Sequence, residues 1–256
     1  MSQDVMNRLL EKIENKYYGK YRATVSQNKD TENMARITMK IPELLGDEKE
    51  TGWALPCLPY GGGEEDGFLF IPEVGSNVWA EFEGGNLSYP IWTGVWWSKD
   101  KIPSESNDME DNPLKILKTK AGHQIKFSDK DPPDEESILV QSTTGHKIAL
   151  DESSGSEQIT VTSAQGHSIT IDDTEKKIEI KTSGGNEITL DDTDSKITIK
   201  NSGGESIELS PSSGITIKSG SAVSIEGVDV TVKASASMTL DGGPMLTLKG
   251  GMIMLN

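Results

Sequence analysis

The chain has 256 residues, a net charge of −16, 34% hydrophobic residues and 26 glycines. That balance argues against nucleic-acid binding, which needs clustered Lys and Arg to displace counterions from phosphates. No stretch reaches the ~20 apolar residues that span a bilayer, and the single cysteine, Cys57, excludes an internal disulfide framework.

The first segment, residues 1–18, reads as one amphipathic helix. Val5, Leu9, Ile13 and Tyr17 recur every four residues, Met6 and Leu10 widen the stripe, and Gly19 stops it. Its apolar face must dock on the following domain or on a partner. The segment has no apolar core of the kind a signal peptide carries, so assembly in the cytoplasm is expected.

From residue 19 the period changes to two. YRATVS and ARITMKIP read as strands separated by the polar turn QNKDTEN. In NVWAEFE, Val78, Ala80 and Phe82 fall on one face and Trp79 and Glu81 on the other, with Glu83-Gly84-Gly85-Asn86 as the turn. Five or six short strands with Gly and Pro corners over 19–97 predict a small closed barrel, which leaves no exposed edge. Thirteen of the fourteen aromatic residues lie between Tyr17 and Trp97. Trp92, Trp96 and Trp97 read as core or protein interface, since the acidic balance disfavours base stacking. Cys57, in the apolar ALPCLP, reads as a buried thiol. Gly61–Asp66, GGGEED, is no phosphate loop: it lacks Lys and Ser/Thr and puts three acids where an anion would sit. SKDKIPSESNDMEDNP, Ser98–Pro113, is a polar, Pro-punctuated linker (98–114).

Residues 115–256 are repetitive. AGHQIKF, TGHKIAL, QGHSITI, GGNEITL and GGESIEL recur, with glycines at 122, 145, 166, 185 and 204 spaced 23, 21, 19 and 19 residues apart. Each unit holds a second apolar-x-apolar strand, at Ile138, Ile159, Ile178, Ile197 and Ile215, running in parallel rungs or as hairpins. Through 215–256 the apolar pairs Val223/Ile225, Val230/Val232, Met238/Leu240, Leu246/Leu248 and Ile253/Leu255 follow at seven or eight residues. Fixed-period similarity signals a repeat architecture. A single-chain β-helix needs about 18 residues per rung at ~3.3 Å per residue, so an eight-residue period supplies one face of three. Three chains about one axis would close it, giving a homotrimer.

Pro72-x-x-Gly75-x-x-Val78, Phe82, Gly84-Gly85 and Pro90-x-x-x-Gly94-x-x-Trp97 resemble the oligonucleotide/oligosaccharide-binding-type barrel of phage baseplate assembly protein V and the VgrG spikes of type VI secretion. Gly145-His146-Lys147-Ile148-Ala149-Leu150-Asp151 is similar to the stalk repeat of those proteins. The resemblance implies an all-β fold: an N-terminal helix, an OB-type barrel and a C-terminal triple-stranded, intertwined β-helix. It implies a structural central spike, the needle tip of a contractile injection system, rather than an enzyme; no cofactor is expected, and the His-x-His iron site of some such spikes is not carried over, since the chain ends GGMIMLN. A trimeric hub protein would bind the N-terminal end, through Val5, Leu9, Ile13, Trp79 and Trp96. A PAAR-repeat-like tip protein would bind Met245, Met252, Ile253, Met254 and Leu255, whose apolar side chains would crowd a blunt apex. Target-membrane contact would be transient, and the particle would be a virion tail or injection baseplate. Only about sixteen residues separate barrel and stalk, too few for the lysozyme domain some spikes carry there.

His123, His146 and His167 share one repeat position with Asn186 and Glu205; they read as turn residues rather than three-histidine metal sites. Asp172-Asp173 and Asp191-Asp192 read as turn acids rather than a calcium site or a glycosidase pair. A β-helical polysaccharide-degrading enzyme would need aromatic subsites along the stalk, which has Phe127 alone, and a trimeric adhesin would need a secretion route.

Overall fold

A computed structural model of the chain describes residues 16–99, 101–106, 114–129 and 137–254. They divide into two compact units, Met1–Glu110 and Asp111–Asn256. Among the described residues their regular structure is mostly strand with very little helix, and no described helix is long and apolar enough to cross a membrane.

In the first unit β1 (Tyr21–Gln27), β2 (Thr38–Lys40), β3 (Leu55–Pro56), β4 (Asn77–Phe82) and β5 (Pro90–Val95) form one sheet in the order β2-β1-β4-β5-β3. The pairs are antiparallel except β3 with β5. The sheet curls until its edges meet: Ile37 and Ala54 exchange backbone hydrogen bonds (3.2 and 2.8 Å), and Thr51 N–H donates to Met39 C=O (2.8 Å). The alternation of β4 is realised inward, with Val78, Ala80 and Phe82 buried beside Val25, Ile37, Met39, Ile41 and Trp92. Tyr17, Tyr21 and Phe82 cluster with ring centroids 5.9–6.4 Å apart, Tyr17 edge-to-face with each of the others and Tyr21 tilted against Phe82.

The amphipathic helix read at 1–18 lies outside the described residues as far as 15. Its last apolar position, Tyr17, is not helical: its N–H donates to Gly85 C=O (2.9 Å). Gly85 is required there, since its φ is +73° and a Cβ would approach Tyr17 N to 3.0 Å. Cys57 is exposed rather than buried. Its N–H pairs with Trp92 C=O (2.9 Å), and the alternation that buries Ala54 turns Leu55 and Cys57 outward.

In the second unit eleven five-residue strands, β6 (Leu114–Lys118) to β16 (Gly214–Lys218), form a sheet in strict sequence order, each antiparallel to the next. The repeats are therefore hairpins, and every ladder from β6 to β16 lies within the chain, so interwinding of chains is not needed over 114–218. The turns along one edge support it. In five of them, every second turn of the sheet, a side-chain oxygen of Thr119, Ser142, Ser163, Thr182 or Asn201 accepts the N–H four residues on, at 3.0–3.1 Å. The glycine between them holds φ of +85 to +98°, a region closed to most side chains.

Beyond β16 the pattern stops. Among the described residues of 219–254 there is no strand, and one backbone–backbone bond, Met245 N–H to Gly242 C=O (3.2 Å), forms within the segment.

Candidate interaction surfaces

The eleven-stranded sheet carries its apolar residues on one face in two columns. The cross-strand register aligns Leu117, Ile125, Val140, Ile148, Val161 and their successors in one column, and Phe127, Ile138, Leu150, Ile159, Ile171 and theirs in the other. Every position but Lys115 is apolar, and Lys115 pairs with Asp129. From Ile159 to Leu209 these side chains remain 37–45% exposed, an apolar face far larger than a soluble monomer leaves uncovered. The opposite face is polar, with Thr160, Thr170, Glu179, Thr189 and Thr198 in its central row. Phe127 belongs to the apolar columns and forms no aromatic subsite.

The segment after β16, the shaft (219–254 among the described residues), is more open still. Its pairs Val223/Ile225, Val230/Val232, Met238/Leu240 and Leu246/Leu248 are 51–71% exposed. Of the apex residues, Met245, Met252, Ile253 and Met254 are exposed by 53–80%, and Leu255 lies outside the described residues. The one backbone–backbone bond among the described residues of their segment is Met245 N–H to Gly242 C=O.

On the barrel, Trp79 and Trp96 do come together, with ring centroids 6.0 Å apart. The Arg22 guanidinium lies 4.9 Å from the Trp96 ring, and Trp96 Nε1–H donates to Val78 C=O (3.2 Å). Both indoles are half-buried on the outer face, while Val5, Leu9 and Ile13 lie outside the described residues. Trp92 is core, its Nε1–H bonded to Ala35 C=O (3.3 Å), and Trp97 is exposed.

The sequence reading missed one barrel surface. In the run GFLFI, Phe68, Leu69 and Phe70 are 52–70% exposed. Gly61 and Gly67 touch backbone to backbone, and Gly63 N–H donates to Asp66 Oδ1 (3.0 Å), so the acidic tip closes on itself. The aromatic rings of Tyr60, Phe68 and Phe70 then stack beside it, at 5.9 and 6.1 Å. The available signal was the glycine pair flanking three consecutive acids, which marks a tight excursion rather than a strand.

The histidines have a structural task. His123, His146 and His167 each accept, through Nδ1, the backbone N–H of Thr143, Ala164 or Ser183 in the next turn (3.2–3.3 Å). Asn186 Oδ1 does the same for Ser202 (3.3 Å). His and Asn interchange because both present an sp² acceptor there, and Glu205 occupies the last turn of the series. Asp172 and Asp191 accept the N–H groups of Glu175 (2.7 Å) and Asp194 (3.0 Å), so they are turn acids. Among the described residues no cluster of His, Cys, Asp and Glu has the arrangement of a metal site.

A curled five-stranded barrel followed in sequence by an unclosed repetitive sheet is the combination that the family comparison addresses. Residues 21–97 match the type VI secretion system/phage-baseplate injector OB domain. Residues 115–179 and 177–243 match the phage baseplate V C-terminal trimerisation domain. The chain belongs to the phage baseplate V family. Both matched modules belong to baseplate proteins, and the second, a trimerisation domain, supports a homotrimer. A comparison with curated proteins finds no match.

Proposed function

We propose that this baseplate protein is the central spike of a phage tail or contractile injection particle, joining a trimeric hub to a membrane-piercing tip. The observation that carries the reading is the pair of open apolar columns, which three copies about one axis would turn inward. Its parts would be an N-terminal helix that ends before Lys16, a barrel (19–97), a linker (98–114) and a stalk (115–256). In the shaft, whose backbone groups find almost no partner within the chain, the three chains would pair with one another as a triple-stranded β-helix, because buried peptide groups must be hydrogen-bonded. Such a rod transmits force mechanically, and no residue need act chemically.

The hub would dock on the barrel through Trp79 and Trp96, together with Val5, Leu9 and Ile13, and the exposed Phe68–Phe70 loop adds apolar area for it. A PAAR-like cap would seat on Met245, Met252, Ile253, Met254 and Leu255. Light scattering tests the core of the proposal: a particle of about 83 kDa, three times the chain mass of 27.8 kDa, is expected, and a monomer overturns it. Deleting Gly250–Asn256 is expected to abolish co-purification with a PAAR-like cap; unchanged binding rejects that contact.

A further inference from the structure

The walls of a three-fold assembly meet at corners, and symmetry dictates which edges meet there. With three chains running in one direction about an axis, the left edge of each sheet adjoins the right edge of the next. The contact is head-to-tail, never like-to-like. The two edges of this sheet differ in charge. One edge consists of the turns KTKAGHQ, QSTTGHK, TSAQGHS, KTSGGNE and KNSGGES, which carry a net charge of +3. The other has DESSGSEQ, DDTEKK, DDTDSK and SPSSG, with a net charge of −6.

Each edge is fixed within its own chain. The first is stitched by the His and Asn acceptors, and the second by Thr174 Oγ1–H to Glu157 (2.9 Å) and Thr193 Oγ1–H to Glu175 C=O (3.4 Å). The charges thus ride on preformed rails beside the apolar columns.

We propose that in the trimer the lysine-and-histidine edge of one chain lies along the acidic edge of the next, making three identical charge-complementary seams that close the corners over the apolar interior. The occupant of each edge is a second copy of this chain. The proposal rests on the trimeric reading above, is continuous with the matched trimerisation domain, and adds to it the pairing of edges. Complementary edges also set direction: a chain inverted end to end would oppose acid to acid, so the seams disfavour antiparallel assembly.

Lys147 and Glu152 provide the test. Lys147 opens β9 and Glu152 follows its last residue, Asp151; both are exposed. At ~3.4 Å per residue they stand roughly 17 Å apart within one chain, about twice the Debye length at physiological salt. Coupling between them must therefore pass between chains. Asp151 is left intact because its Oδ1 accepts Ser153 N–H (3.0 Å). In the full-length protein, Lys147→Glu and Glu152→Lys are each expected to raise the trimer's dissociation constant about tenfold at physiological salt, three weak surface pairs being lost at once. The double reversal K147E/E152K is expected to recover most of that loss, and 1 M salt to shrink both effects. K147Q and E152Q should act in the same direction with smaller size, separating charge from local packing. Additive losses in the double variant, with the trimer otherwise intact, overturn the seam alone. A monomeric parent protein overturns the seam and the trimeric reading together.

Discussion

The barrel and the stalk sheet use the same alternation and reach opposite outcomes. In β4 the apolar positions Val78, Ala80 and Phe82 are buried because the sheet curls until Ile37 pairs with Ala54. In β13 (Glu187–Asp191) the positions Ile188 and Leu190 are just as regular, yet 37–39% exposed, because eleven strands follow one another in order and the sheet never turns back on itself. Alternation therefore specifies a face, not whose interior that face will line. What decides is irregularity: the barrel has a bulge between Val25 and Gln27, a register shift between Val78 and Ala80, and a Gly at φ +136° in β5, and these bend its strands. The stalk lacks them and stays open for its partners.

The largest test of that contrast places a charge in each interior. Ile199→Asp would set three carboxylates together in the trimer core, and light scattering is expected to show loss of the trimer. The freed chains should then separate the two stalk zones. Amides of β6–β16 keep their ladders within the chain and should stay protected from hydrogen exchange, while those of 219–254 should exchange freely. Equal protection of the two zones would break the distinction. In the barrel, Phe82→Ala should cost about 3–5 kcal/mol through the cavity it leaves, lowering that unit's melting transition while the particle remains trimeric.

The next effect is on pH. Asp30 receives two hydrogen bonds from Arg36 (2.7 and 3.0 Å), besides the N–H groups of Glu32 and Met34. The Arg36 guanidinium holds its carboxyl well below the usual carboxylate range. A depressed folded value means that the stabilisation is fully present above the unfolded value near 4 and disappears as the pH falls below it. Glu50 is also lowered, chiefly by its hydrogen bond from Gln27. Barrel unfolding should therefore steepen below about pH 4, and Asp30→Asn should flatten that dependence. An unchanged acid limb in the variant would count against it.

Much of this was legible in the residues. The five GHxI-like units, their spacing and the apolar-x-apolar strands placed β7, β9, β11, β13 and β15 and their facing, because turn chemistry and period two are local properties. The inward face of β4 was read correctly for the same reason. Three features were not legible. ARITMKIP yields only Thr38–Lys40 as strand, since Ile37 is engaged across the barrel seam by Ala54, a contact seventeen residues away. GFLFI is apolar but exposed, because the Gly61–Gly67 closure carries it off the sheet. The histidine acceptors reach a turn 16–20 residues on, a distance at which no local pattern reports. Their exchange with Asn was visible, and the stitch explains it. His167→Asn should accordingly be near neutral, whereas His167→Ala should cost about 0.5–1 kcal/mol per chain for one lost hydrogen bond, read in thermal dissociation of the stalk.

The smallest change sharpens the comparison furthest, because the stalk multiplies it. Ser195 sits at φ +51° in the turn between β13 and β14, a conformation that costs an ordinary side chain about 1 kcal/mol. Asn tolerates that region better, so Ser195→Asn should gain a few tenths of a kcal/mol per chain. If the three stalks unfold as one cooperative unit, the gain appears three times over in the trimer's dissociation, roughly 1 kcal/mol in total. A matched change in the barrel, Asn33→Gly at φ +56°, should register once per chain, because each barrel closes on its own core. Equal shifts in the two transitions would mean that the barrels unfold together too, and the contrast between a self-closed and a shared interior would have to be given up.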